Sequence, residues 1–223
     1  MKSNIPDFIK FEKKIGFEFG NKGLLKQAFT HRSYINENKS TGLSHNERLE
    51  FLGDAVLELV ITEFLYGKYP EKQEGELTSL RAALVNTVTI SKIASDIGMN
   101  DYLLLSRGEA KDEGRAGQVI LANTFEALIG AIYEDKGYQT AQDFISKNLF
   151  PEVKNVIEKE LWKDPKSLLQ EKAQELLEIT PSYKTLKETG PDHNKLFTVG
   201  LYFGNELISE GKGHSKHRRI LRS

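Results

Sequence analysis

The chain has 223 residues, enough for one domain of ordinary size and a second, smaller one. Hydrophobic residues make up 39% of the chain and charged residues 28%, with a formal net charge of -1, which is typical of folded globular proteins and excludes a disordered chain. The absence of cysteine excludes disulfides and thiolate metal sites. Since we find neither a signal-like N-terminus nor an apolar run of membrane length, we expect a cytoplasmic protein without a membrane partner.

The first 160 residues show helical periodicity. Apolar residues recur at spacings of three and four, and breaks rich in glycine and asparagine occur around 39–44, 69–75 and 108–117. Two apolar stripes predict core-facing helices: Leu49, Leu52, Val56, Leu59 and Val60 on one, and Phe125, Leu128, Ile129 and Ile132 on the other. We therefore predict an all-helical first domain spanning residues 1–156.

Two acidic residues lie at the border of the first stripe. Glu50 and Asp54 are four residues apart and so share a helix face, where they repel each other unless a cation lies between them. A solvated surface with Arg48 as a salt partner explains the same spacing. Spacing alone leaves both interpretations open.

The second helix carries Asn123, Glu126 and Gly130 on a side away from its apolar stripe. We expect Gly130 to leave open space beside Glu126, at a cost of about 1 kcal/mol relative to alanine, which helix packing or a ligand would explain. If the two helices converge, Glu50, Asp54 and Glu126 would form an oxygen-rich pocket suited to Mg²⁺, with Mn²⁺ as a substitute. Spacing does not establish that convergence.

After a predicted linker at 157–163 the pattern changes. A short amphipathic helix at 166–177 is followed by alternating residues, with Phe197, Val199, Leu201 and Phe203 on one strand face. The dipeptide Gly204-Asn205 predicts a two-residue hairpin turn. We predict a small α+β domain at 164–223, one helix followed by about three antiparallel strands, whose basic end suits a polyanion or is simply a solvated tail.

Three segments, in order, resemble the ribonuclease III family: ERLEFLGDAVL at 47–57, EGELTSLRAALVN at 74–86 and LSRGEAKDEGR at 105–115. The resemblance implies a mainly α fold whose helical endonuclease domain forms a homodimer and cleaves double-stranded RNA with divalent metal. It implies staggered ends with 5′-phosphates and 3′-hydroxyls, and ribosomal and other structured RNA precursors as substrates. Phe51 matches an aromatic residue that inserts into the partner subunit, although composition alone favours an ordinary core residue.

The same resemblance assigns catalytic roles to Asp54 and Glu126 and metal ligation to Glu50, Asn123 and Glu126. The family pattern Ala-Asp-x-Phe-Glu-Ala reads here Ala122-Asn123-Thr124-Phe125-Glu126-Ala127, with an amide in place of the expected carboxylate. Because the change removes one negative charge, we expect weaker metal binding and a severely impaired enzyme. A catalytically silent RNA-binding protein is the alternative, and a helical interaction domain with only surface acids is a third.

The second domain resembles a double-stranded RNA-binding domain. Ser167, Gln170, Glu171 and Gln174 match its first RNA-contacting helix, and the glutamines, one turn apart, would reach 2′-hydroxyls in the minor groove. His193 matches a second contact in the loop at 190–195, and Lys216 the start of a third. After Lys216 the sequence departs from the pattern, so we expect the last helix of this domain to be truncated or altered.

Overall fold

The computed structural model describes residues 6–111, 114–159, 162, 165–191 and 195–213. The chain forms two compact units that divide between Trp162 and Lys163. The first unit is built from helices, and the second ends in a three-stranded antiparallel sheet. This architecture confirms the predicted fold class, while the exact bounds predicted for the linker stay a prediction.

Seven α-helices form the described part of the first unit. They are α1 (Phe8–Ile15), α2 (Lys22–Ala28), α3 (Arg32–Glu37), α4 (Glu47–Lys68), α5 (Glu74–Leu84), α6 (Thr87–Asp96) and α7 (Arg115–Glu158). Side chains of Asp7, Asn21 and Asn86 accept first-turn amide hydrogens of α1, α2 and α6. These residue types favour such caps because their short side chains satisfy amides that have no partner within the helix.

Helix α7 is the central helix of this unit and packs against α2, α4, α5 and α6. The predicted stripe Phe125, Leu128, Ile129 and Ile132 is fully buried. The helix kinks at Gly137, whose φ of 80° and ψ of 179° are not helical. The apolar stripe is recognisable from sequence because it recurs at helical spacing beside the polar Asn123 and Glu126.

On α4 the predicted stripe is confirmed for Leu49, Val56 and Val60, which are buried, while Leu52 is partly buried. It is wrong for Leu59, whose side chain is 50% exposed. Leu57 and Ile61 are buried instead, so the core-facing side of α4 extends towards them and Leu59 lies outside its border.

Helix α7 also contains, among the described residues, one segment long and apolar enough to cross a membrane by length and composition. No such segment is expected from the sequence. In the structure 61% of that segment is buried inside the unit. The core helix of a globular domain meets the same criteria, so this segment is weak evidence for a membrane span.

The second unit begins with α8 (Pro165–Leu177), followed by β1 (Pro181–Thr189), β2 (Leu196–Phe203) and β3 (Glu206–Gly213) in the sheet order β1-β2-β3. Phe203 pairs with Glu206 across the predicted two-residue turn, where Gly204 has a φ of 59°. The predicted residues of β2 are only partly buried. The altered last helix predicted after Lys216 lies outside the described residues.

Candidate functional site

Helices α4 and α7 cross at two glycines. A Cβ atom at Gly53 would overlap the carbonyl oxygen of Glu126, and one at Gly130 would overlap the carbonyl oxygen of Leu49. The expectation of open space beside Gly130 is therefore wrong, because the α4 backbone fills that space. Close helix packing is the reason for a glycine at this position.

This crossing supplies the convergence that spacing left open. Glu50 and Asp54 flank Gly53 on α4, and Glu126 lies one turn before Gly130 on α7. From Ile120 to Ile132, every residue of α7 is buried except Asn123 and Glu126, which are partly buried. The two polar side chains therefore mark the part of α7 left uncovered beside α4.

The carboxyl group of Glu126 lies in an unfavourable environment for a charge. Burial, which is the largest cause, and the negative charges of Asp54 and Glu50 together raise its pKa to about 7. Without a cation, this carboxyl group is therefore only partly ionised at neutral pH. A buried carboxylate beside two like charges is typical of functional sites.

Asn123 lies close enough to Glu50 to affect the pKa of its carboxyl group. Burial raises the pKa of Glu50, as do Glu47 and Asp54, whereas a side-chain hydrogen bond with Asn123 lowers it. A carboxylate only accepts hydrogen bonds, so the amide of Asn123 donates to Glu50. An aspartate at position 123 would instead place a second carboxylate against Glu50.

The oxygen donors of Glu50, Asn123 and Glu126 fit a hard divalent cation by their chemistry. The raised pKa of Glu126 indicates negative charge that no protein cation fully balances. Within the described residues, however, no group of three or more His, Cys, Asp or Glu side chains is close enough to hold a metal ion. The ligand chemistry fits, whereas the assignment of individual ligands stays a prediction.

Replacing Glu126 with glutamine should stabilise the metal-free protein at pH 8. Because the folded-state pKa is raised to about 7 from 4.5, folding is penalised increasingly as the pH rises through this range. After discounting for the solvent-exposed part of the side chain, we expect a gain of about 1 to 2 kcal/mol in unfolding free energy. Urea unfolding in chelator at pH 8 and pH 4 measures this gain and its loss in acid.

The exposed Glu58 of α4 provides the matched control, and Glu58→Gln should leave stability unchanged at both pH values. A Glu126→Gln variant that is less stable than the parent at pH 8 would contradict the electrostatic description of the site.

A cleft of about 770 Å³ opens beside Glu50 and Asn123. Acidic Glu47 and Glu109 line it together with His31, Arg32 and Arg115. Arg32 forms an ion pair with Glu47, with 3.6 Å between Nη1 and Oε1. Glu47, Glu109 and Arg115 lie within two of the family-like segments, but no role was predicted for them. His31 and Arg32 lie outside those segments, and no sequence signal marks them.

Phe51 lies between Glu50 and Asp54 and is 82% exposed, which rules out a core position within this subunit. Leu59 and Tyr66, the latter 76% exposed, follow it along α4. At these spacings the three side chains lie on the same broad, outward side of the helix. Large apolar side chains exposed in a row are typical of an interaction surface.

The predicted RNA-contacting residues of the second unit are only partly described. Gln170 and Gln174 are exposed on α8, and Gln174 Oε1 accepts a hydrogen bond of 3.2 Å from the Thr180 hydroxyl. The side chains of Ser167 and Glu171, together with His193 and Lys216 as a whole, lie outside the described residues. The RNA-binding roles of all six predicted residues stay predictions.

Two family models match the chain, one to each unit. Residues 21–153 match the model described as ribonuclease-III-like, and residues 165–218 match the double-stranded RNA binding motif. The two matches fall on either side of the division between the structural units.

Curated relatives and solved structures give the same result. The chain is 45% identical to ribonuclease 3 of Borreliella burgdorferi, over 96% of this chain and 87% of that protein. It is 42% identical to ribonuclease 3 of Desulforamulus reducens, over 93% and 84% of the two chains. The nuclease domain of ribonuclease III from Campylobacter jejuni has a TM-score of 0.57 and 40% identity, covering 64% of this chain and 98% of that domain.

Proposed function

Because the chain belongs to the ribonuclease III family, we propose that it is an endoribonuclease that binds and cleaves double-stranded RNA. The products would carry 5′-phosphates and 3′-hydroxyls on staggered ends. Ribosomal and other structured RNA precursors in the cytoplasm are the proposed substrates. The observation that carries the proposal is the convergence of Glu50, Asp54 and Glu126 at the α4–α7 crossing, in a chain that also matches a double-stranded RNA binding motif.

We propose Mg²⁺ as the cofactor, held by Glu50, Asn123 and Glu126, with Mn²⁺ as a substitute. When bound, such an ion activates water and stabilises the charge that develops on the phosphoryl group. Glu126 must release its remaining proton to become a ligand, so metal binding should be stronger at higher pH. Asp54, more exposed at the edge of the same site, is proposed to assist catalysis.

The closeness of Asn123 to Glu50 supports the proposal that this protein is impaired. Asn123 adds no negative charge, and its N–H group engages an oxygen of a neighbouring ligand. A site of lower charge binds dications less tightly beside a phosphate, which is itself negative. The same observation favours a second candidate function, a catalytically silent protein that binds double-stranded RNA.

Recognition of RNA would be shared between the units. Ser167, Gln170, Glu171, Gln174, His193 and Lys216 are proposed to contact the duplex, mainly through its shape and 2′-hydroxyls. The exposure of Gln170 and Gln174 one turn apart on α8 supports this role.

We propose that the protein is a homodimer in which Phe51 inserts into the partner subunit. Supporting observations are its exposure and the described dimer-forming region of the Campylobacter jejuni nuclease domain. Replacing Phe51 with aspartate should weaken dimerisation at least about 100-fold, because a charge would enter an apolar pocket. Sedimentation analysis at several concentrations measures the change.

Val88 on α6 is a matched control, since it is also an exposed apolar residue, 68% accessible, but lies on another helix. Val88→Asp should leave the dimer intact. A Phe51→Asp protein that remains dimeric at the same concentrations would contradict the proposed interface.

The proposed activity is tested by incubating the Asn123→Asp variant with duplex and single-stranded RNA in Mg²⁺. Cleavage of the duplex alone, with 5′-phosphate ends, is the expected result.

A further inference from the structure

His31 lines the cleft beside Glu50, and its backbone is held on both sides. Its N–H group donates to the Leu104 carbonyl oxygen at 3.1 Å, and Leu104 donates to the Phe29 carbonyl oxygen at 2.9 Å. The buried Asn46 donates its backbone N–H to the Thr30 carbonyl oxygen at 2.9 Å. The position of His31 at the cleft is therefore fixed by main-chain hydrogen bonds from two other segments.

Hydrogen bonds also fix the orientation of the His31 ring. His31 is the N-cap of α3, and its Nδ1 atom accepts a hydrogen bond of 3.3 Å from the backbone N–H of Ser33. The Ser33 hydroxyl lies 2.8 Å from Nδ1 and accepts from the backbone N–H of Ser106 at 3.0 Å, so its own hydrogen points to the ring. Nδ1 thus acts only as an acceptor, and the neutral ring carries its proton on Nε2.

The charge state of the ring agrees with this tautomer. Burial lowers the pKa of His31, as do the positive charge of Arg32 and the neighbouring His45, while Glu109 and Glu47 act in the opposite direction. At neutral pH the side chain is therefore an uncharged donor. Within the described part of the chain, no protein acceptor engages its Nε2 atom.

The surroundings of that donor indicate its ligand. Glu47, Glu50 and Glu109 line the cleft and would repel a phosphodiester, while the guanidinium of Arg32 is already paired with Glu47. A fixed N–H group in this lining, together with the guanidinium of Arg115, offers a phosphate oxygen a partner in this acidic environment. Because the donor is already oriented, little conformational entropy is lost when it binds.

We infer that His31 is a substrate-binding residue whose Nε2–H donates a hydrogen bond to a non-bridging phosphate oxygen of the RNA strand held for cleavage. This contact positions the backbone in the cleft that Glu50 and Asn123 also line. The inference rests on the proposed function and adds a residue that neither the motifs nor the carboxylate pattern identified.

Two substitutions distinguish the two roles of His31, the Nε2–H donor in the cleft and the Nδ1 acceptor that caps α3. Asparagine at position 31 keeps an acceptor close to the place of Nδ1 and is a favoured N-cap, but it has no donor at the place of Nε2. Glutamine reaches the place of Nε2 with an N–H group but loses the cap. His31→Asn and His31→Gln are compared in the Asn123→Asp background by kcat/KM on duplex RNA and by thermal unfolding.

We expect His31→Asn to lower kcat/KM by about 10- to 100-fold, the value of a hydrogen bond to a charged group, without lowering the unfolding temperature. His31→Gln should retain most of the activity and unfold at a lower temperature. Gln139, an exposed residue of α7 that does not line the cleft, is the control, and Gln139→Asn should leave kcat/KM unchanged.

Full activity of His31→Asn would overturn the inference. It would also be overturned if both variants lost activity only in proportion to their loss of stability. If the Asn123→Asp parent itself fails to cut duplex RNA, the proposed function fails and the inference fails with it. If the Asn123→Asp parent cuts duplex RNA and its rate is the same with either substitution at position 31, only the inference about His31 is contradicted, and the proposed function stands.

Discussion

Replacing Gly130 with alanine is expected to lower the unfolding free energy by about 3 kcal/mol or more, at or above the upper end for an overpacked core. The added Cβ would overlap the Leu49 carbonyl oxygen and lie 3.1 Å from the Gly53 amide nitrogen. Both atoms belong to the backbone, so no side-chain rotation relieves the clash. The helices must separate, which also moves Glu126 away from Glu50. Chemical denaturation measures the loss.

Gly67 provides the control on α4, the helix that carries Gly53. No atom lies within 4 Å of a Cβ built there, so Gly67→Ala should be neutral or stabilise the protein by up to about 1 kcal/mol. Gly53→Ala should behave like Gly130→Ala. If Gly130→Ala were as stable as the parent, the close crossing of α4 and α7 would be contradicted.

Local pattern was sufficient to predict much of this fold. The stripe from Phe125 to Ile132 is buried because a long, strongly periodic helix must cover its apolar side. The turn at Gly204 was predictable because so few residue pairs suit a two-residue hairpin. Leu59 was assigned wrongly, since the border of a helical stripe depends on which neighbours cover it, and sequence spacing does not contain them.

The site required tertiary information. Spacing placed Glu50 and Asp54 on one helix face, but the backbone contact between Gly53 and Gly130 brings that face to Glu126. Asn123 on α7 lies close to Glu50 on α4, and the cleft residue His31 comes from a third segment. Such relations between distant residues leave no periodic trace in the sequence.

The second large effect is expected from replacing Asn123 with aspartate. The change removes the donor to Glu50 and adds a negative charge beside Glu50 and Glu126. With Mg²⁺ present, the added charge should strengthen metal binding and stabilise the transition state. Each tenfold change in rate corresponds to about 1.36 kcal/mol of activation free energy. Because a bound metal typically lowers that barrier by several kcal/mol, we expect the substitution to raise the cleavage rate by about 10² to 10⁴.

The same substitution should have the opposite effect on stability when metal is removed. A further carboxylate beside Glu50 repels it, so the Asn123→Asp protein should unfold at a lower temperature than the parent in chelator. Added Mg²⁺ should raise its unfolding temperature more than that of the parent. Equal responses of the two proteins to Mg²⁺ would show that position 123 does not face the ion.

The central claim is that the acidic site at the α4–α7 crossing cleaves duplex RNA with metal and is limited by the missing charge at Asn123. The most direct test is the ratio of kcat/KM for Asn123→Asp and the parent, on one duplex RNA at the same Mg²⁺ concentration. We predict a ratio of about 10² to 10⁴. A ratio within about tenfold of unity, or a variant that binds the duplex without cutting it, would contradict the account.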